Sequence, residues 1–160
     1  METLTTRELI DSFIKQFMKD YKEKKGQEFE PTFDNLYKIG KIIETKVPDI
    51  VEVRKQKSRE FKYVAWKWYE YILRKFDNEF WFELTGYSDN YQMVQITIKW
   101  KGKVYSGWYA VEDSALAKET QKPLNNKGEM VVNEGMRCFA KVSSRATGLF
   151  YHLWIEGGND

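Results

Sequence analysis

The spacing of apolar residues in the first third of the chain predicts two helices. Residues 5–26 place apolar side chains at intervals of three and four, and Thr5 with Glu8 fits a capping box. Lysines followed by Gly26 suit the end of this helix. After a linker at residues 27–31, residues 32–47 predict a second helix, which Pro48 ends. The first helix is expected to pack against its own domain, or alternatively to make a subunit contact.

Strands are predicted in the middle of the chain, where the pattern changes to a period of two. The clearest alternation places Val94, Ile96, Ile98 and Trp100 on one face of a strand. Residues 80–87 and 104–112 predict neighbouring strands, with a hairpin turn at 101–103. Residues 61–76 have helical spacing, and residues 113–128 read as a polar loop. A further helix follows that loop, and residues 148–158 suggest a short strand or an extended tail.

This order of elements predicts the α+β class, with a three-stranded antiparallel β-meander packed on helices and an N-terminal helical extension. The predicted organisation is an N-terminal amphipathic helix and linker at residues 1–30, followed by one domain at residues 31–160. The chain of 160 residues is long enough for a sizeable core.

Composition narrows the class of protein. A single cysteine, Cys138, excludes an internal disulfide, and a single histidine, His152, leaves a Cys/His zinc cluster without enough ligands. No apolar run approaches the roughly 20 residues of a membrane span. The N-terminus lacks the apolar region of a signal peptide. We therefore expect a soluble cytoplasmic protein without a membrane partner.

Positive charge is concentrated in one segment, although the formal net charge of the chain is only +2. Residues 54–75 carry eight Lys or Arg and two Glu. The cations at the start of this segment are Arg54, Lys55, Lys57, Arg59 and Lys62, and aromatic residues follow at once. Cations attract phosphates, and exposed rings stack unpaired bases, so this pattern favours single-stranded nucleic acid. The alternative is a solvated loop before a core helix.

A second group of cations lies on the helix after the strands. Arg137, Lys141 and Arg145 fall four residues apart, which keeps them close to one helix face. Between them, Met136, Phe139, Ala140 and Val142 are suited to a core. The row is either ordinary surface or a track for an anionic ligand.

Catalytic patterns are absent or weak in the sequence. Neither a G-x-x-x-x-G-K-[ST] loop nor a G-x-G-x-x-G motif occurs, which argues against ATP-driven action. His152 stands beside apolar residues and reads as a structural histidine. Glu112 with Asp113 lacks a third metal ligand, and the nuclease-like segment PDIVEVRK has the wrong spacing. We expect no enzyme and no cofactor.

Three segments resemble one family. FKYVAWKW, YAVEDSALAKETQKP and VVNEGMRCFAKVSSRATGLFYHLW are similar, in that order, to motifs of the Sak-three type of phage single-strand annealing proteins. Asn133, Arg137, Cys138, Lys141, Gly148 and Leu149 match the C-terminal motif in register. The resemblance covers about residues 50–155, and Gly135 replaces the family's usual alanine.

The resemblance implies a sheet-and-helix fold akin to the eukaryotic Rad annealing recombinase, a β-β-β-α core that assembles rings or filaments. It implies ATP-independent pairing of complementary strands held by their backbones in a basic groove, in phage recombination and repair. Arg137 and Lys141 would then contact the DNA backbone, joined by Arg145 and Asn133. Lys57, Arg59 and Lys62, with Arg54 and Lys55, would form the opposite wall. Partners would be single-stranded DNA, further copies of the chain, and a single-strand binding or other recombination protein. The alternative is a single-strand binding replication accessory without annealing activity, and a third hypothesis is a structural protein.

Overall fold

A computed structural model of the chain describes residues 3–56, 59–87, 93–110 and 124–155, except for the side chains of residues 54–56, 59, 61, 87, 109, 110 and 124–135. The chain belongs to the α+β class, as predicted. The helices are α1 (Thr6–Lys25), α2 (Phe33–Lys46), α3 (Trp66–Phe76), α4 (Leu124–Thr147) and α5 (Tyr151–Ile155), with a single 3-10 turn at Pro48–Ile50. The strands are β1 (Val51–Gln56), β2 (Arg59–Val64), β3 (Trp81–Tyr87), β4 (Met93–Trp100) and β5 (Lys103–Ala110).

The chain divides into two compact units. The first comprises Met1–Trp68 and Thr147–Asp160, and the second comprises Tyr69–Ala146. The predicted division at residue 30 separates a terminal helix and linker from a single domain, which is a different kind of boundary, and it stays a prediction. One boundary between the units falls within α3 and the other at the end of α4, so each of these two helices contributes residues to both units.

Helix α1 in the first unit begins and ends as its sequence predicts. The Thr5 hydroxyl accepts a hydrogen bond from the backbone N–H of Glu8 at 3.2 Å, and Gly26 adopts φ +67° at the C-terminus. Side-chain caps of this kind contribute about 1 kcal/mol each. Ile10 and Ile14 are buried, whereas Met18, expected on the same face, is 38% exposed. The buried stripe is therefore narrower than the sequence pattern.

Helix α2 holds the C-terminal end of the described chain. Thr32 caps it, and its buried residues include Leu36, Ile39 and Ile43. The close approach depends on glycine, because a Cβ atom at Gly40 would lie 2.7 Å from the backbone nitrogen of Phe150. Tyr37 meets His152 edge to face at 5.9 Å between ring centroids. Residues 148–155 are consequently part of this core, and α5 corrects the predicted strand or tail.

The start of the basic segment belongs to a β-hairpin, and the rest of it belongs to α3. Strands β1 and β2 pair antiparallel, with Val51 opposite Val64 and Arg54 opposite Phe61. The prediction of helix over residues 61–76 is therefore wrong for residues 61–64, and α3 starts only at Trp66. The paired residues form strands where the alternative expected a loop. The helical spacing of apolar residues in α3 extends back into residues 61–64, because this short strand mixes polar and apolar residues without a regular alternation.

The second unit contains a three-stranded antiparallel sheet of order β3-β4-β5. Lys101 and Gly102 connect β4 to β5 with φ values of 51° and 81°. Positive φ at both central residues matches the twist of the paired strands. Val94, Ile96, Ile98 and Trp100 are all buried, as their alternation predicts.

Helix α4 covers the apolar face of this sheet. Phe139 is fully buried and stacks on Phe82 of β3, with 4.1 Å between ring centroids. It also contacts Tyr69 and Phe80 at 6.4 and 6.1 Å between centroids. Burying a side chain of this size contributes about 1.5–3 kcal/mol, so Phe139 is one of the residues that fix the helix on the sheet.

Helix α4 starts earlier than expected, because Leu124–Gly128 of the predicted polar loop have helical backbone. The rest of that loop, residues 113–123, lies outside the described residues. Within the part of the chain that the structure describes, none of the helices is both long and apolar enough to cross a lipid bilayer.

Candidate nucleic-acid interface

The basic row on α4 is built on a helix whose other side is immobilised. Cys138 and Phe139 are fully buried, and Val142 is nearly so. The Cys138 thiol donates to the carbonyl oxygen of Gly107 on β5 at 3.3 Å. Side chains of α4 that point away from these contacts therefore project from a fixed frame.

Arg137, Lys141 and Arg145 occupy successive positions of this frame. Four-residue steps place them about 6 Å apart along the axis and turn each by about 40° relative to the last. This rotation moves the later positions away from the core, and accordingly Arg137 and Lys141 are half-buried whereas Arg145 is exposed. Half-buried cations lay their aliphatic stems on the apolar surface and extend their charged ends to water.

Arg145 lies within helical backbone, because α4 continues to Thr147. Its place in the last turn also favours a cation there, owing to the partial negative charge at a helix C-terminus. Asn133 precedes Arg137 by the same four-residue step on the α4 backbone. The helix thus carries all four residues that were predicted for this wall.

The pKa of Cys138 reflects its burial between α4 and the sheet. Burial raises the pKa of its thiol from 9.0 to about 11, against the lowering effects of a hydrogen bond from the Ile96 backbone and of the positive charge on Lys141. A thiol in this state is neutral at physiological pH and a poor nucleophile. Its role is therefore packing, with a weak hydrogen bond to the sheet.

We expect the stability conferred by Cys138 to decline at high pH. Because the folded pKa lies above the unfolded one, the contribution is complete below pH 9 and is lost as pH rises towards 11. Between pH 8 and pH 11 the free energy of unfolding should fall by about 1–2 kcal/mol more than in Cys138→Ser, after allowance for solvent screening. Urea unfolding of both proteins at the two pH values measures this difference. Parallel losses would contradict it.

The second predicted group of cations lies on the β1–β2 hairpin of the first unit. The backbone pairs Arg54 with Phe61, Lys55 with Glu60 and Gln56 with Arg59. Lys62 is exposed and pairs with Val53, whereas Lys57 lies outside the described residues. The register of the hairpin therefore places Arg54 and Arg59 at positions of one face, and Lys55 and Lys62 at positions of the other. Their position opposite the α4 row stays a prediction, because the two groups belong to different units.

Aromatic side chains accompany the hairpin and the start of α3. Tyr63 is 37% and Trp66 is 40% exposed, whereas Tyr69 is buried. The Lys67 ammonium lies 5.2 Å from the ring centroid of Trp68, which is half-buried. Of the two tryptophans at this position, Trp66 is the more exposed, and neither is fully buried. The first unit therefore offers both cations and accessible rings.

Sequence reasoning missed one surface, the sheet face that points away from α4. Trp81 and Trp108 are exposed there, at 36% and 49%. The sequence contains the information needed to predict this face, because the turn at residues 101 and 102 sets the register of β4 and β5. That register in turn determines the face on which Trp108 lies. The pairing of Trp108 with Gln95 confirms that register.

Across residues 3–56, 59–87, 93–110 and 124–155, no three His, Cys, Asp or Glu residues gather in a manner that would hold a metal ion. His152 is buried, with its Nε2 atom 3.5 Å from the carboxylate of Glu44. Glu112 and Asp113 lie outside the described residues.

Comparison of the chain with protein-family models, curated proteins and solved structures finds no significant match.

Proposed function

We propose that this protein is an ATP-independent single-strand annealing protein that binds single-stranded DNA by its backbone and pairs complementary strands. The observation that carries the proposal is the row of Arg137, Lys141 and Arg145 on a helix fixed to a sheet. A rigid row of cations is able to hold phosphates at fixed spacing while it leaves the bases free to pair. The order β3-β4-β5-α4 is the order of the β-β-β-α core of the annealing family that the sequence resembles.

The β1–β2 hairpin supports the same function. It carries Arg54, Lys55, Arg59 and Lys62 on two paired strands, and Tyr63 is exposed on one of these strands. A two-stranded hairpin alone is only marginally stable, so ligand contacts are well placed to order it. Its proposed role is to make further contacts with the phosphates of single-stranded DNA.

The wider setting follows from the same proposal. The protein acts without a catalytic group or cofactor, in the cytoplasm of a bacterial host, as part of phage recombination. It assembles into a ring or filament, and its protein partners are further copies of itself and a single-strand binding or other recombination protein. Assembly would extend the row from one chain to the next.

The test is the annealing of two complementary labelled oligonucleotides without ATP, across a salt series. The wild-type protein should accelerate pairing, and the acceleration should fall as salt rises. Arg137→Ala with Lys141→Ala should reduce the slope of log affinity against log salt by about 1–2 and return pairing to its spontaneous rate. Each lost phosphate contact accounts for about 0.7 of that slope on a single strand.

A matched control is available on α1. Lys15 and Lys19 are exposed, lie four residues apart on a helix, and remove the same charge when both become alanine. This control should anneal like the wild type. Wild-type annealing by the Arg137/Lys141 variant would refute the site. Binding without acceleration would favour the accessory protein, and no salt-sensitive affinity would favour a structural protein.

A further inference from the structure

The sheet of the second unit has a face that α4 does not cover. Residues paired across antiparallel strands share a face, so the register fixes its members. Successive rows across this face are Trp81, Lys99 and Val104, then Glu83, Thr97 and Ser106, and finally Gly86, Gln95 and Trp108. Val104 is 61% and Trp108 is 49% exposed. The face is therefore open to a ligand, with an indole ring at each of two opposite corners.

The middle of this face is a row of hydrogen-bonded hydroxyl groups. The Thr97 oxygen lies 2.8 Å from the Thr85 oxygen and 2.7 Å from the Ser106 oxygen. The Thr85 hydroxyl also donates to Gln95 Oε1 at 3.0 Å. Together these hydroxyls form a continuous hydrogen-bonded row that ends on the amide of Gln95.

Trp108 reaches across this surface to Gly86 on the other outer strand. A Cβ atom at Gly86 would be 3.5 Å from Cη2 of Trp108 and 3.5 Å from Gln95 Oε1. Gly86 and Trp108 stand on the two outer strands, about 10 Å apart across β4. The indole must therefore lean over β4 towards Gly86, where the lack of a side chain makes room for it. The end of the ring contacts the sheet near Gly86, and Trp108 remains 49% exposed.

Cations lie at the other corner of the face, beside Trp81. Lys99 pairs with Trp81, and Lys101 and Lys103 follow in the adjoining turn and strand. Both Lys101 and Lys103 are exposed. The Lys101 ammonium donates to the carbonyl oxygen of Phe76, and Lys103 pairs with Trp100 and so belongs to the opposite face of the sheet. Lys99 is therefore the cation of this face that is placed for an incoming phosphate. Glu83 supplies one opposing charge on the face.

We propose that this face stacks unpaired bases of single-stranded DNA, with Trp108 as the main platform and Trp81 as a second one, the Cα atoms of the two residues lying about 16 Å apart by strand geometry. The choice of DNA as ligand rests on the proposed function. Open sheet faces with aromatic rings bind single strands in this way, because every base has an aromatic face. Charged and hydroxyl groups between the rings do not suit the centre of an apolar interface between copies, where charged residues are depleted.

Such a platform complements the α4 row. The row contacts phosphates, so its contribution depends strongly on salt and little on the bases. Stacking depends on the presence of a base and much less on salt. The two surfaces lie on opposite sides of one sheet, so a strand that passes around its edge would be able to touch both.

The experiment compares Trp108→Ala with the wild type for binding of a labelled oligothymidylate and an abasic oligonucleotide of equal length, across a salt series. The variant should bind oligothymidylate about 5- to 150-fold more weakly, by the usual cost of losing one stacked base. Its affinity for the abasic strand and its salt slope should stay unchanged. Trp108→Phe should retain most of the affinity, since it keeps an aromatic face.

Val104→Ala is the matched control, because Val104 lies on the same strand and face, is more exposed, and has no ring. It should bind both oligonucleotides like the wild type. Circular dichroism and urea unfolding verify that each variant is folded, and Trp108→Phe keeps the test valid should Trp108→Ala fail to fold.

Three outcomes would overturn the inference. Equal affinity of Trp108→Ala and wild type for oligothymidylate would refute the stacking platform and would not affect the proposed role of the α4 row. A changed oligomeric state in light scattering without a change in affinity would make this face a contact between copies. Absence of binding to either oligonucleotide by the wild type would refute both this inference and the proposed function. Conversely, loss of affinity in Trp108→Ala with an unchanged salt slope in the Arg137/Lys141 variant would support the platform and refute the row.

Discussion

Replacing Gly148 with alanine is expected to lower the free energy of unfolding by about 3–5 kcal/mol. Gly148 adopts φ +90°, a conformation that residues with a side chain rarely take. A Cβ atom there would also overlap the carbonyl oxygen of Phe33 and lie 3.0 Å from its carbon. Both neighbours are backbone, so no side-chain rotation relieves the overlap. The residues after α4 would have to move off α2.

Gly26 provides the control that separates the two causes. It has a similar positive φ of +67°, but nothing lies within 4 Å of its Cβ position. Gly26→Ala should therefore cost only about 1 kcal/mol, from conformation alone. Urea unfolding of both variants at constant m-value gives the comparison. Equal costs would mean that Gly148 is not in close contact with Phe33.

The elements with strong local signals could be predicted from sequence. Thr5 and Gly26 mark the ends of α1 through side-chain and backbone geometry within one turn. The alternation of Val94, Ile96 and Ile98 identifies a half-buried strand, because one face of β4 carries α4 and the other does not. In these cases the information lies within a few residues of the element itself.

The elements that depend on distant partners could not be predicted. Residues 59–64 become a strand only by pairing with residues 51–56, and helical spacing carries on through them into α3. Residues 148–155 are apolar and aromatic on every side, which suits strand or helix equally. Their helix is selected by the close approach of Phe150 to Gly40, a contact more than a hundred residues apart in sequence.

The candidate interface was predictable in the same partial way. Arg137 and Lys141 follow from a four-residue spacing within one helix, and α4 displays it. The exposed position of Trp108 follows only from the register of β4 and β5, and its orientation only from the glycine at residue 86. Surfaces assembled from several strands therefore need the pairing before they become visible.

Replacing Gly107 with alanine should destabilise the protein by about 2–3 kcal/mol through overpacking between β5 and α4. A Cβ atom at Gly107 would lie 2.6 Å from Cγ2 of Val142. Valine in a helix has one strongly preferred rotamer, so it yields little, and the helix must shift instead. Val142 follows Lys141 directly, and the shift would move the basic row off its position. Annealing should decline together with stability.

Val142→Ala should suppress the defect, because it removes the overlapping methyl group. The single variant Val142→Ala should cost about 1–2 kcal/mol, and the double variant should be more stable than the sum of the two by about 1–2 kcal/mol. Val94→Ala is the control, since it opens a similar cavity in the same core and no atom of Val94 lies within 4 Å of the new Cβ. Combined with Gly107→Ala it should be additive. Urea unfolding gives the coupling, and the annealing rate shows whether relieving the overlap also restores function. A double variant that recovers stability but not annealing would mean that the height of α4 above the sheet does not govern the basic row.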